Sequence, residues 1–106
     1  MIIVTNRIKT KLGFAAKMAP MFTRPGALQK MAGFVKVEVL ITKNLSEYDE
    51  LNVNMYWNTF EDFTQWKNSA AFKEAHTGPT NDGQDSPILG SEIIISEVAS
   101  TLESNI

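Results

Sequence analysis

Three uncommon side chains of this sequence could do chemistry: a histidine, a tryptophan and an asparagine. His76 is the single histidine of the chain, and Trp66, one of two tryptophans, precedes it by ten residues. Asn6 interrupts an alternating apolar segment near the start of the chain, at a position where Val4 and Ile8 predict another apolar residue. Together they offer an imidazole for iron or proton binding, a rigid indole surface and a hydrogen-bonding amide.

His76 is the residue whose chemistry is most restricted by the rest of the composition. Phe72 and His76 are four residues apart on a predicted helix and therefore share a face. A neutral imidazole there is either a half-buried histidine bonded to the protein or an iron ligand. A single histidine, in a chain with no cysteine, does not supply the donors of an all-protein zinc site. It suffices as the axial ligand of haem, because the porphyrin supplies the other nitrogens.

Asn6 and Trp66 each have an ordinary interpretation beside the functional one. Burying an amide without partners costs about 1–3 kcal/mol, so Asn6 either bonds a neighbouring backbone group or water, or directs its amide into a cavity. Trp66 either fills a core or forms the wall of a pocket. The pattern alone leaves both questions open, and the structural interpretation is the commoner one for each residue type.

Composition limits the classes of protein that this chain could be. Its 106 residues predict one domain over 1–106, and a hydrophobic fraction of 43% with 21% charged residues is typical of a folded globular protein. The formal net charge of -2, with scattered basic residues, argues against a nucleic-acid partner. The absence of cysteine fits a cytoplasmic location. We expect neither a signal peptide nor a membrane-spanning segment.

Hydrophobic periodicity predicts the elements that must position the three residues. Alternation of apolar side chains predicts four strands, at 2–8, 34–42, 50–57 and 91–99. A first helix is predicted over 13–23, shortened or kinked by Pro20, with a further helical turn over 27–33.

The second half of the chain predicts two consecutive helices and a loop. Thr59 followed by Asp62 resembles a capping box, and Phe60, Phe63 and Trp66 then repeat at the spacing of a half-buried helix. Ser69 is predicted to cap a short helix that ends near His76. The polar, Gly- and Pro-containing stretch 77–90 is predicted to be a mobile loop.

This order of elements predicts an α+β fold of the ferredoxin-like type, β-α-β-β-α-β, with two helices on one face of an antiparallel sheet. The uncovered face is expected to be apolar, because Val37 and Leu40 fall in opposite phases of the second predicted strand and Ile93–Ile95 are consecutive. An apolar second face needs a second cover, and the same sheet of another copy is the simplest one. The pattern therefore favours a homodimer.

The segments "IIVTNRI", "GFVKVEVLITKNLSEYDE" and "MYWNTFEDFTQWKNSAAFKEAH" resemble the IsdG-type haem-degrading monooxygenases over residues 2 to about 98. The resemblance rests on an Asn in the first strand, a Trp in a later helix and a His ten residues beyond that Trp. It implies a dimeric α+β barrel with a haem pocket in each subunit, between helices and sheet.

The resemblance also implies a role for each residue. His76 is expected to be the axial ligand of the haem iron, Asn6 to donate a hydrogen bond on the distal side of the haem iron, and Trp66 to press the porphyrin out of plane. A haem-contacting segment is expected at Met21, Phe22, Thr23, Arg24, Pro25, Gly26, Ala27 and Leu28, with a salt link from Arg24 to a propionate. In this segment the chain departs from the family pattern by Pro20 and Pro25.

The implied reaction is oxidative opening of the porphyrin ring, with haem as both substrate and cofactor. The reaction consumes molecular oxygen and electrons from an external donor, which is expected to be a separate reductase. Iron and a linear tetrapyrrole of the biliverdin or oxo-bilirubin type are released, which would serve iron acquisition. Two alternatives stay open at this point: a haem carrier that does no chemistry, and a cofactor-free monooxygenase of small molecules on the same fold.

Overall fold

Four antiparallel strands form one sheet in the order β2-β3-β1-β4. The computed structural model describes residues 1–75 and 87–106. The elements are β1 (Ile2–Thr10), α1 (Ala15–Met18), β2 (Phe34–Ile41), β3 (Asp49–Trp57), α2 (Phe60–Lys67), α3 (Ala70–Ala75) and β4 (Ile88–Glu97), with short 3-10 helices at Ala19–Phe22 and Ala27–Lys30. This order and topology confirm the predicted ferredoxin-like fold. In the described residues no helix is long and apolar enough to cross a bilayer.

The first predicted helix is shorter than expected, as its proline suggested. α1 ends at Met18, and a 3-10 helix continues from Ala19 to Phe22 with Pro20 in its first turn. Proline lacks the backbone N–H that an α-helix needs at an interior position, so the chain tightens where the α-helix would have continued. The extra helical turn predicted over 27–33 is a 3-10 helix of four residues, Ala27–Lys30.

Both predicted caps of the later helices are present. The Asp62 backbone N–H donates to the Thr59 hydroxyl at 3.1 Å, and that hydroxyl donates to the Asp62 carboxylate at 2.9 Å. At the second helix, the Phe72 backbone N–H donates to the Ser69 hydroxyl at 3.1 Å. These bonds satisfy N–H groups that have no partner inside the helix, which is why α2 and α3 begin where the sequence predicts.

β4 begins earlier than predicted. Residues 88–90 belong to β4 and not to the predicted loop 77–90, while residues 77–86 of that predicted loop lie outside the described part of the chain. In the pairing with β1, Lys9 lies opposite Gly90 and the next residue, Thr10, lies opposite Ile88. β4 therefore has one extra residue between Ile88 and Gly90. Such a bulge is invisible to a strict two-residue alternation, and a glycine in the strand accommodates it.

The helices cover one face of the sheet, and most of the apolar residues point to that face. One core cluster joins Val4 and Trp57 of the sheet to Phe63 and Trp66 of α2. A second cluster joins Ile8, Leu51 and Val53 to Ala15 of α1. The helix-covered face is called the inner face below, and the opposite one the outer face.

The expected apolar outer face is wrong for β2. Val37 pairs with Met55 and Val39 with Val53, and both valines pack on the inner side. An irregularity in the register after Phe34 returns that residue to the inner side as well, although strict alternation predicts the opposite face. The register leaves Lys36, Glu38 and Leu40 as the outer residues of β2.

The three consecutive isoleucines of β4 behave as expected. Ile93 and Ile95 lie opposite Asn6 and Val4 on the inner side, and Ile94 lies opposite Thr5 on the outer side. β4 is one of the two edge strands of the sheet, and every one of its residues is exposed. Its apolar side chains on both faces therefore lack a full cover within the described chain.

Candidate functional site

A cavity of about 540 Å³ lies between the inner face of the sheet and the two later helices. Three strands form its floor, through Val4 and Asn6 of β1, Val53 and Met55 of β3, and Ile93 and Ile95 of β4. Its size falls in the range of small-molecule and cofactor pockets, and a predominantly apolar lining with few polar groups is typical of them.

Helical side chains form the opposite wall of this cavity. Phe63 and Trp66 come from one side of α2 because they are three residues apart, and Phe72 comes from α3. Leu28 closes the wall from the 3-10 helix at Ala27–Lys30. Lys67 is the one charged residue of the described chain that lines the cavity.

Asn6 is the polar group on the cavity floor. It sits between Val53 on β3 and Ile93 on β4, in the phase of the strand that faces the helices. Its Oδ1 atom is buried and accepts no hydrogen bond from the described residues. A buried acceptor without a donor costs about 1–3 kcal/mol, which is a reason to expect a ligand or water at this position. The alternative of an Asn6 amide bonded to a neighbouring backbone group is therefore not what these residues show.

Trp66 serves both interpretations that the sequence left open, because it is buried in the core and also lines the cavity. Only 6% of its surface is exposed. Its ring meets Phe72 edge-on, with centroids 5.7 Å apart and an interplanar angle of 87°. Its Nε1–H is buried and has no acceptor among the described residues. The indole is thus held by packing, while its polar edge has no bond in the described chain.

Ser69 connects the two helices that carry these rings. Its hydroxyl donates to the Trp66 carbonyl oxygen at 2.7 Å and accepts from the Phe72 N–H at 3.1 Å. One short side chain thereby bonds the backbone of Trp66 in the last turn of α2 and of Phe72 in the first turn of α3, and both of these residues line the cavity. This connection sets the direction in which α3 leaves, and α3 leads to His76.

His76 follows Ala75, the last residue of α3, and lies outside the described residues. Its predicted role as an iron ligand is therefore not tested by the geometry. The structure does bring Asn6 and Trp66 to one cavity, although they are sixty positions apart in the sequence.

The predicted contact segment 21–28 is divided by the fold. Leu28 lines the cavity. Phe22, Thr23 and Arg24 instead line a neighbouring cavity of about 290 Å³, which Leu28 also borders. Met21, Pro25, Gly26 and Ala27 line neither cavity.

Several lining residues were not among the predicted site residues. Phe63 belongs to the helical stripe that contains Trp66, and this spacing could have indicated it. Ile93 and Ile95 share the phase that pairs with Asn6, but this depends on which strand lies beside β1. Lys67 had no signal in the sequence beyond its position next to Trp66.

The antibiotic biosynthesis monooxygenase family matches residues 1–78. A relative from Staphylococcus saprophyticus, named heme oxygenase (staphylobilin-producing), is 47% identical over 103 residues, which cover 96% of this chain and 99% of the relative. These similarities agree with the resemblance seen in the sequence.

Two solved structures have the same fold. An antibiotic biosynthesis monooxygenase from Bacillus cereus superposes with a TM-score of 0.83 at 23% identity, over 97% of each chain. The heme degrader MhuD from Mycobacterium tuberculosis, solved with two hemes in its active site, superposes with a TM-score of 0.70 at 20% identity, over 97% of this chain and 100% of that one. At these identities the likeness concerns the fold.

Proposed function

We propose, from the premise that the chain belongs to the antibiotic biosynthesis monooxygenase family, that it is a haem-degrading monooxygenase. Its substrate is haem, and its products are iron and a linear tetrapyrrole. The observation that carries this proposal is the shared cavity of Asn6 and Trp66, because it joins two of the three residues on which the family resemblance rests.

The cavity suits a large, flat and mostly apolar ligand. Apolar side chains from the sheet and from the helices face each other across it, which favours burial of a planar ring system. The buried Oδ1 of Asn6 and the buried Nε1–H of Trp66 are polar atoms without partners in the described chain, so a ligand with polar groups could satisfy them. The residues present therefore fit a porphyrin.

His76 is the residue that we propose would hold the haem iron. It is the only imidazole in the chain, and it follows the helix whose Phe72 lines the cavity. When bound, haem supplies both the redox-active iron and the bridging carbons that are oxidised.

Asn6 supplies a hydrogen-bonding group on the floor of the cavity. Its amide carries an acceptor oxygen and two N–H donors. A donor fixed on a strand can stabilise negative charge that develops next to it, and it needs no reorganisation during the reaction. The strand neighbours on both sides, Val53 and Ile93, offer no competing side-chain bond.

Trp66 acts as a rigid surface against the ligand. Its edge contact with Phe72 and its burial limit how far the indole can retreat from a bound ring. A ring bound in the cavity would lie against this fixed indole, and distortion of the macrocycle is one way in which a protein can tune haem. We assign this role to Trp66 rather than a purely structural one.

Further parts of the proposal concern assembly and supply. The 21–28 segment contacts haem directly through Leu28, and Arg24, which lines the neighbouring cavity that Leu28 also borders, lies beside this end of the site. The domain 1–106 acts as a homodimer through the outer face of the sheet. Molecular oxygen and electrons from a separate reductase complete the reaction, and such a supply fits a cytoplasmic location. The product follows the staphylobilin type named for the relative.

A haem titration of the purified protein tests the proposed function. Haem is added with ascorbate, once with oxygen and once without, and the product is identified by mass. We expect loss of the haem absorption band with iron release only in the presence of oxygen. A haem absorption band that stays stable with oxygen and ascorbate would indicate a haem carrier. If no band of protein-bound haem forms, a cofactor-free monooxygenase is the remaining alternative.

The variant His76→Ala tests the assigned iron ligand. We expect it to lose the five-coordinate haem spectrum and turnover together, because the chain has no other imidazole. A variant that degrades haem at the native rate would refute the assignment. Circular dichroism of the ligand-free variant controls for unfolding.

A further inference from the structure

One cation stands at an otherwise uncharged cavity. Lys67 lines the space between helices and sheet, and the other lining residues of the described chain are neutral. It directly follows Trp66, so its backbone position is set by the same helix that holds the indole. Its location is thus tied to the geometry of the site.

The charge of Lys67 has no partner among the residues that the structure describes. Its side chain is exposed and forms no ion pair or hydrogen bond with the described residues, whereas Arg7 and Lys36 on the outer face pair with glutamates. Lysines in the last turn of a helix also complement the helix dipole, and Lys67 occupies such a position in α2. The helix dipole accounts for a positive charge in the last turn of α2. It does not account for the position of Lys67 at the cavity.

Resting on the proposed function, we propose that Lys67 pairs with a carboxylate of the bound porphyrin and so sets its rotation in the pocket. Haem is an apolar ring with both carboxylates on one edge. The apolar walls favour burial of the ring, and the carboxylate edge is best placed at the solvent-exposed ammonium. The rotation of the ring then decides which bridging carbon lies beside Asn6.

The occupant of this position is an anionic group of the ligand rather than a protein side chain. The aliphatic stem of lysine can pack along the apolar wall while the ammonium stays in water. A pair of this kind at a solvent-exposed mouth is worth up to about fivefold in affinity, because water and salt screen it. The ion pair has a larger effect on the orientation of the porphyrin, because Lys67 can pair with a carboxylate in one rotation of the ring and not in another.

The test compares haem with haem dimethyl ester, in which both carboxylates are esterified. Affinities for both compounds are measured with the full chain and with Lys67→Ala, Lys67→Arg and Lys67→Glu. Lys73→Ala is the matched control, because Lys73 occupies the last turn of α3 but does not line the cavity. The ratio of regioisomeric products is determined by chromatography and mass for every variant that turns over.

We expect the native chain and Lys73→Ala to bind haem more tightly than the ester, by up to about fivefold. Lys67→Ala should lose this preference, Lys67→Arg should keep most of it, and Lys67→Glu should reverse it. Lys67→Ala should also give a more mixed set of product isomers. Native preference and native isomers in Lys67→Ala would overturn the inference. If the native chain binds haem and its ester equally, the inference about Lys67 is wrong but the proposed function stands. If the native chain binds neither compound, both the inference and the proposed function are wrong.

Discussion

The indole of Trp66 and the ring of Phe72 stand edge to face, with centroids 5.7 Å apart and planes at 87°. They belong to consecutive helices, and the Ser69 hydroxyl bonds the backbone of both residues. Edge-to-face aromatic pairs add about 0.5–1.5 kcal/mol beyond the burial of their surface. The position of Trp66 therefore depends on α3, the helix that precedes His76.

Replacing Trp66 by Phe should separate a role against the ligand from a role in the core. Trp57→Phe is the matched control, because Trp57 is also buried and its Nε1–H also has no acceptor among the described residues, but it does not line the cavity. Both variants should lose roughly 0.5–3 kcal/mol of unfolding free energy. Only Trp66→Phe should slow haem degradation per folded molecule, with haem binding retained. Equal single-turnover rates for the two variants would argue against a catalytic role for Trp66.

Replacing Asn6 by Val should raise or preserve stability while abolishing turnover. The buried Oδ1 of Asn6 has no donor in the described chain, so an apolar residue removes a cost of about 1 kcal/mol. In the control Asn54→Val the bond from the Thr5 hydroxyl, 2.7 Å long, is lost on the outer face. That variant should have a lower melting temperature and normal chemistry. A destabilised Asn6→Val protein with native turnover would contradict both parts of the prediction.

Gly33→Ala should destabilise the protein through a specific contact. Gly33 has a φ of +81°, and a Cβ there would overlap the carboxylate of Asp62, which belongs to the capping interaction of α2. Gly13→Ala is the control, with a φ of +85° and open space around the Cβ position. Chemical denaturation should show a loss of about 1–2 kcal/mol for Gly13→Ala and a larger loss for Gly33→Ala.

Removing the Asp62 side chain tests the origin of that difference. In a double-mutant cycle, Asp62→Ala should cost less in the Gly33→Ala protein than in the native one, because the overlap is gone. Simple additivity of the two unfolding free energies would show that the carboxylate is not responsible.

The loss of unfolding free energy at acidic pH should depend on Glu50. Burial raises the pKa of Glu50, but hydrogen bonds from Asn52, Thr42 and Arg7 and the charge of Arg7 outweigh it and hold this pKa below its usual value. A carboxylate with a lowered folded-state pKa contributes stability above its unfolded-state pKa, and this contribution is lost as the pH falls through the folded-state pKa.

The variant Glu50→Gln should therefore be less stable than the native chain near neutral pH, by roughly 1–3 kcal/mol. The difference should shrink as the pH falls below the ordinary range of a glutamate. Thermal melts between neutral and strongly acidic pH provide the measurement. A difference that stays constant over this range would show that Glu50 does not contribute through its charge.

The proposed homodimer should depend on Ile94. Its side chain lies on the outer face and is 40% exposed. Ile94→Glu should give monomers or aggregates in size-exclusion chromatography, because a charge in an interface lacks a partner. Leu12→Glu, in the exposed turn before α1, should leave the assembly unchanged. A native protein that elutes as a monomer would refute the homodimer.

The sequence by itself determined the type and order of the elements. Short-range rules were sufficient, because Thr59 and Ser69 cap helices through residues three positions away and Pro20 ends an α-helix within one turn. Alternation located the strands, and together with the order of helices it indicated the ferredoxin-like fold. Only the family resemblance predicted that an asparagine in a strand and a tryptophan in a helix belong to one site.

The tertiary structure decided which faces these residues occupy. Register irregularities after Phe34 and beside Gly90 shifted residues by one position, and a shift of one reverses the face of a strand residue. Strict alternation therefore placed Phe34 on the outer face of β2, where the structure instead has Lys36 and Glu38 beside Leu40. The cavity shared by Asn6, Trp66 and Lys67 likewise arises from long-range packing of helices on the sheet, which local periodicity does not encode.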